Sequence, residues 1–265
     1  MVDGIFLSNL IIYITILIFG TVFGSFFTLA VHRIPKGQDI THERSYCPNC
    51  NHKLQFLDLI PVFSYIFLGG KCRYCKKKIR PRYLILEICS GILFVSLAFS
   101  NNISVLSSVE VMIKFALEIL FLCACIITAG IDKEYYKTID GVLIYGLIIG
   151  SFRVVFNGIF DIPVVSNIVG FIAVPLILYT LFRAIIEKSS NSFVKECIKL
   201  DYIKYLSILG LFLDFKLQVL SFLISFVFMT VYYLFQKRNQ NEIKVPGAFL
   251  MTIVFVIAMI VFNIM

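Results

Sequence analysis

Charge is scarce in this sequence. Asp, Glu, Lys and Arg make up 15% of its 265 residues, while 59% are hydrophobic. A soluble domain usually carries about 25% charged and roughly 45–50% apolar residues, so a water-soluble core is a poor description. A cleavable signal peptide is also missing. The first apolar run, Ile5 to Val31, is too long for an h-region and follows no basic segment, so it is expected to persist as a helix. No internal repeat, low-complexity segment or Rossmann-type glycine fingerprint is visible.

Long apolar stretches recur instead, and about 20 apolar residues suffice for a membrane helix. The pattern predicts an all-α polytopic membrane protein with about eight transmembrane helices. They run over roughly 5–31, 82–99, 111–130, 139–157, 163–186, 202–213, 216–235 and 246–264. The sixth is short and is expected to be re-entrant or shielded by neighbours. Basic and base-poor loops alternate: Lys133 and Lys137 in one, Lys188, Lys195 and Lys199 in another, no Lys or Arg at 100–110. That alternation fits eight spans with both termini outside. Gly20 and Gly24 in the first helix have the spacing that lets helices approach closely.

Residues 32 to 83 hold eleven Lys or Arg against three acids, Asp39, Glu43 and Asp58, a surplus equal to the whole net charge of +8. A basic loop can mean nucleic acid. Beside membrane helices it marks the cytoplasmic face, and no nucleic-acid partner is expected.

The same loop carries Cys47-Pro-Asn-Cys50 and Cys72-Arg-Tyr-Cys75. Each CxxC pair can offer two thiolates to one side of a tetrahedral ion, and two pairs close a structural zinc site. Nearby Lys and Arg favour the thiolate form. Iron–sulfur chemistry is a lesser alternative, as are four unrelated thiols. Cys89, Cys123 and Cys125 read as small hydrophobes in helices, and Cys197 as a loop thiol without a partner.

Asp132 follows the third predicted helix and Asp201 precedes the sixth, on the same predicted face. A carboxylate beside hydrocarbon is costly and suggests function. Two that share a site titrate as a unit: one activates water, the other donates to a scissile carbonyl. The plain alternative for Asp201 is a helix N-cap. Glu87, one turn inside the second helix, is expected to pair with a basic residue.

The chain resembles the type IV prepilin peptidases, bacterial membrane enzymes that process pilin precursors. The likeness begins at Gly24-Ser-Phe-Phe-Thr-Leu-Ala-Val-His-Arg33-Ile-Pro35 and continues through Arg44-Ser-Tyr-Cys47-Pro-Asn-Cys50, Asp58-Leu-Ile-Pro61-Val and Gly70-Lys-Cys72-Arg-Tyr-Cys75. It reaches Pro81-Arg-Tyr83 and Glu87, and weakens toward the C-terminus. The family's first aspartate motif, D-x5-I-P-D, is met by Asp132 and Asp140, with Thr138-Ile139 where Ile-Pro is usual. The second, G-x-G-D-x-K-L, is broken. Lys199-Leu-Asp201-Tyr-Ile-Lys204 has neither glycine, and a register fixed by Lys204 and Gly210 puts Tyr202 where the Asp belongs. Asp201 is then one residue early, about 100° of helical rotation. It is still the only Asp within the motif region, with Glu196 a distant second candidate.

The resemblance implies a first transmembrane helix at 1–31, a cytoplasmic zinc-binding loop at 32–81 tied to methyl transfer, and a transmembrane aspartyl peptidase core at 82–265. It implies cleavage of the basic leader of prepilins and pseudopilins by Asp132 and Asp201, on the cytoplasmic side of the bacterial inner membrane. It also implies N-methylation of the new N-terminus with S-adenosylmethionine, for which no binding residue is identified. Zn2+ would be structural, on Cys47, Cys50, Cys72 and Cys75. Partners would be prepilins and membrane lipid, with Asp39, Glu43 or Glu134 meeting the basic leader. The alternative is a degenerate relative without peptidase activity, acting as methyltransferase or pilus-assembly partner. A transporter with a zinc-stabilised loop also fits the topology, but lacks paired interrupted helices.

Overall fold

The computed structural model describes residues 2–42, 44–160, 164–186, 199–239 and 244–264. Glu43, Lys188, Lys195, Glu196 and Cys197 lie outside the described residues. Within them the chain is built of helices without a sheet. These are α1 (Val2–Arg33), α2 (Phe63–Phe67), α3 (Arg82–Ser100), α4 (Val109–Tyr135), α5 (Asp140–Ile159), α6 (Val165–Ile186), α7 (Leu200–Leu209), α8 (Phe215–Asn239) and α9 (Gly247–Ile264). Six of them, α1, α3, α4, α5, α8 and α9, are long and apolar enough to cross a membrane, and α6 holds a shorter apolar stretch, Val165–Leu181. The protein is therefore an all-α polytopic membrane protein.

Two expectations need correction. α4 does not stop near 130 but runs to Tyr135, because nothing before Tyr136 breaks it. Tyr136 takes φ +55°, with its N–H on the Asp132 carbonyl at 2.8 Å. Asp132 thus lies inside the helix rather than after it. Asp201 is not an N-cap: α7 begins at Leu200 behind Lys199, which makes no side-chain capping bond. Asp140 likewise opens α5, and its N-cap is Ile139.

The chain divides into two compact units, Met1–Phe115 and Ala116–Met265. In the first, α1 lies against α3 at its two spaced glycines. A Cβ on Gly20 would stand 2.8 Å from the Gly91 Cα, and one on Gly24 would stand 2.7 Å from the Glu87 Cα. Any larger residue forces the backbones apart, which is the close approach such spacing permits.

In the second unit, α7 has ten residues, about 15 Å, half of what a span needs. Its neighbours wrap it. Ser207 Oγ donates to the Phe171 carbonyl of α6 at 2.6 Å, and Gln218 Nε2 of α8 donates to the Leu206 carbonyl at 2.9 Å. Tyr205 OH and Thr252 Oγ1 of α9 are 2.7 Å apart. Beyond α7 the chain leaves the helix, and exposed carbonyls at membrane depth would be costly. Arg153 Nη1 donates to the Leu211 carbonyl at 3.1 Å, and Asn167 Nδ2 to that of Leu213 at 3.1 Å. Both side chains are buried, and Arg153 also lies 3.9 Å from Glu118. Short and shielded, α7 is thereby tolerated inside an apolar bundle.

Candidate metal centre and carboxylate site

The four loop cysteines converge. Their Sγ atoms all lie within 4.8 Å of one another, with Cys47 and Cys75 3.9 Å apart. A tetrahedron with bonds of about 2.3 Å to sulfur has edges of roughly 3.8 Å, so the four thiols can hold a metal ion. Two matching turns produce the arrangement. Cys47 N–H reaches the His52 carbonyl and Asn51 N–H the Cys47 carbonyl; Cys72 N–H reaches Lys77 and Lys76 N–H reaches Cys72. Asn51 and Lys76 close the turns at φ +54° and +59°. Each turn thus points two thiols inward from one CxxC.

Burial raises the Cys47 thiol, but the N–H groups of Asn49 and Cys50 outweigh it and bring it to about 7. At Cys50 the His52 N–H lowers the value, yet lost hydration and the neighbouring thiols push it up to about 11. Four ligands leave no open position, which is the design of a structural site.

Asp58 clamps the second turn. Its carboxylate accepts Arg73 Nε at 2.6 Å, Tyr74 OH at 3.1 Å and the Gln55 N–H at 3.1 Å. Burial alone would raise its pKa, and these donors hold it below the ordinary value. Gly70, at φ +65°, has the Tyr65 ring where a Cβ would stand, at 2.9 Å. Buried Arg33, at the end of α1, donates to the carbonyls of Asp39 and Arg44 and starts the loop. Among the described residues Glu87 makes no ion pair of the kind expected. It accepts the Val62 N–H at 2.7 Å and the Ser25 hydroxyl, so it joins loop to helices.

The second site centres on Asp132, which has no exposed surface. Oδ1 accepts the Tyr202 hydroxyl at 3.1 Å, and Oδ2 the Phe249 N–H at 3.1 Å. The Tyr202 oxygen is also 2.8 Å from the Val245 carbonyl. The ring fits because residue 247 is glycine; a Cβ there would lie 2.5 Å from it. Lys133 lies over the Phe249 ring at 4.4 Å.

Asp201 lies on the first turn of α7 with a half-exposed side chain, 3.8 Å from Lys204 Nζ. That ammonium donates to Asp140 at 3.1 Å. Asp140 and Asp201 therefore share one lysine, while Asp132 is held by Tyr202 from the inner side of the same turn. Among the described residues no hydrogen bond joins Asp132 to Asp201. Of the other expected positions, Asp39 binds Thr41 and His42, Cys89 is exposed, and Cys123 and Cys125 are buried.

Sequence reasoning did not reach Gly247, Phe249 or Glu118. For Glu118 and Gly247 the signal would have been an ionisable or glycine residue in or beside an apolar run, which alone names no partner, and Phe249, acting through its backbone N–H, gives none.

Residues 18–101 match the family described as "Bacterial Peptidase A24 N-terminal domain". A "Prepilin leader peptidase/N-methyltransferase" of Pseudomonas putida is 26% identical over 250 residues, covering 84% of this chain and 81% of that protein. One of Bacillus subtilis is 32% identical over 130 residues, 49% of each chain. One of Klebsiella pneumoniae is 38% identical over 82 residues, 29% of this chain; the match spans about a third, 36%, of that relative's length. No solved structure gives a significant match.

Proposed function

Because residues 18–101 match the bacterial peptidase A24 N-terminal domain and a prepilin leader peptidase/N-methyltransferase aligns with 84% of the chain, we propose that it acts on prepilin precursors at the membrane, with Asp132 as the catalytic carboxylate. The observation that supports this reading is the Asp132 site itself: a carboxylate without exposed surface, near the end of a membrane-length helix and held by donors that include Tyr202 and the Phe249 N–H. Burying a carboxylate is expensive, and a site of chemistry is the ordinary reason to retain one. Asp201 is the second acid of the proposed pair. For cleavage, one carboxylate activates water and the other protonates the scissile carbonyl. Asp201 meets Asp132 only if the first turn of α7 rotates by one residue, about 100°, and the Tyr202 phenol withdraws. The state described is then a closed one.

The metal we propose for Cys47, Cys50, Cys72 and Cys75 is zinc, in a structural role; all four thiols are near enough to bind it. The basic loop supports a cytoplasmic face in the bacterial inner membrane, where the leader would be cut. N-methylation of the new N-terminus rests on the family name and the complete tetracysteine module, and no residue is assigned to S-adenosylmethionine.

A second reading is favoured by one observation. Tyr202, 1% exposed, stands opposite Asp132 in the place the register gives to the second aspartate. If it stays there, the protein binds prepilins and methylates or assembles them without cutting.

Co-expression with a prepilin separates the two. Leader-sized processing by wild type, lost in Asp132→Asn and in Asp201→Asn, establishes the two-aspartate peptidase. No processing by wild type, with cleavage gained in Tyr202→Asp, establishes the second reading and makes methylation the next assay. Processing that survives Asp132→Asn overturns both.

A further inference from the structure

The loop of the first unit leaves large apolar side chains uncovered. Phe56, Leu57, Phe63, Ile66 and Phe67 are 80%, 60%, 61%, 62% and 82% exposed. They lie on two short helical turns, Phe56–Asp58 and α2, between the membrane-length helices α1 and α3. In water so large an aromatic patch is a liability.

The anchoring of these turns says what covers them. Asp58 ties the first to Arg73 and Tyr74, and the Val62 N–H ties the start of α2 to Glu87 at 2.7 Å. Glu87 is five residues inside α3, about 7.5 Å along the axis from its first residue, Arg82. α2 therefore starts beside the first turns of a membrane span, not above them. Interfacial helices sink their apolar faces about 5–10 Å into the boundary between headgroups and acyl chains, and this offset matches that depth.

The charge agrees. From Leu59 to Pro81 the sequence contains no Asp or Glu, and Lys71, Lys76, Lys77 and Lys78 are exposed. Such a cluster beside a membrane span is attracted to anionic headgroups.

We propose that residues 56–67 form an interfacial foot inserted into the leaflet on the side of the tetracysteine loop, with the following lysines on anionic lipid headgroups. The foot fixes the tetracysteine loop at the membrane surface. The occupant is the bilayer, because the segment lies between two membrane-length helices and its second turn is hydrogen-bonded to one of them.

The sequence contains no tryptophan, so Phe67→Trp places a single indole in the full-length protein. The position is 82% exposed, so the change should leave the fold intact, which metal content equal to wild type will verify. The protein is reconstituted into phosphatidylcholine–phosphatidylglycerol vesicles with bromine on the upper acyl chain. The expected result is blue-shifted emission that loses most of its intensity to those lipids, less to bromine at the chain ends, and little to aqueous acrylamide. Red emission, quenched by acrylamide and indifferent to bromine, overturns the proposal. Emission shielded from both quenchers also overturns it, since a protein then covers the patch. Equal bromine quenching with and without phosphatidylglycerol removes the headgroup contact.

Discussion

At position 202 a phenol meets the Asp132 carboxylate at 3.1 Å and the Val245 carbonyl at 2.8 Å. A hydroxyl has one proton to donate, so Tyr202 must share it or choose, and its oxygen stays available as an acceptor. The ring is held by shape as much as by bonds, because Gly247 leaves it room. Gly247→Ala should cost about 1–3 kcal/mol, the usual cost of overpacking a filled site. Thermal unfolding in detergent checks this, and the loss should shrink when Tyr202→Ala empties the space. Part of this site was legible beforehand. The spacing from Lys204 and Gly210 already put Tyr202 where the motif's aspartate belongs, although Asp201 was the residue expected to serve as the second acid. Gly247 and Phe249 were not legible, because they are more than a hundred residues away from Asp132 and no local pattern links them to it.

At the scale of the element, the two CxxC turns are local devices. Each needs only its own backbone bonds and one residue at positive φ, Asn51 or Lys76. What joins them is the Asp58 clamp and, on the proposed reading, an ion held by the four thiols. Metal removal should therefore unfold the loop and leave the membrane helices formed. Purified protein should hold zinc, and chelation or acidification should release it, because protonated thiols do not bind. Protease cutting between residues 44 and 81 should rise while far-ultraviolet circular dichroism barely changes. Asp58→Asn should lower zinc retention against a chelator, since it removes the charge that holds Arg73. Because its donors hold the Asp58 carboxyl below the ordinary value, its stabilisation is present at neutral pH. It is lost only as pH falls through that lowered value.

For the whole molecule, the alternation of basic and base-poor loops predicts a topology that length alone cannot. A phosphatase reporter that is active only outside should work when fused after Ile103 and fail when fused after Lys137. A fluorescent reporter that folds only inside should give the opposite pair. Activity of the phosphatase at 137 would reverse the orientation and move the metal loop outside. The count of spans is where the sequence spoke least clearly. Among the described residues six helices have the length and composition to cross, while α7, with ten residues, does not. Hydropathy saw an apolar segment there. It did not see that Arg153, Asn167 and Gln218 would satisfy the carbonyls of Leu206, Leu211 and Leu213, which is what allows a short helix at that depth.

The amino-acid sequence by itself determined the membrane class, the positions of the long helices and the four-thiol centre, and it singled out Asp132 as a candidate. Each depends on information held within one segment: apolar length, CxxC spacing, or an acid at the edge of an apolar run. Only the tertiary structure decided which neighbour Asp132 meets. One residue along a helix turns a side chain by about 100°, so the choice between Asp201 and Tyr202 belongs to the rotation of α7. That rotation is set by contacts with Phe171, Gln218, Gly247 and Thr252, which lie far apart in the chain.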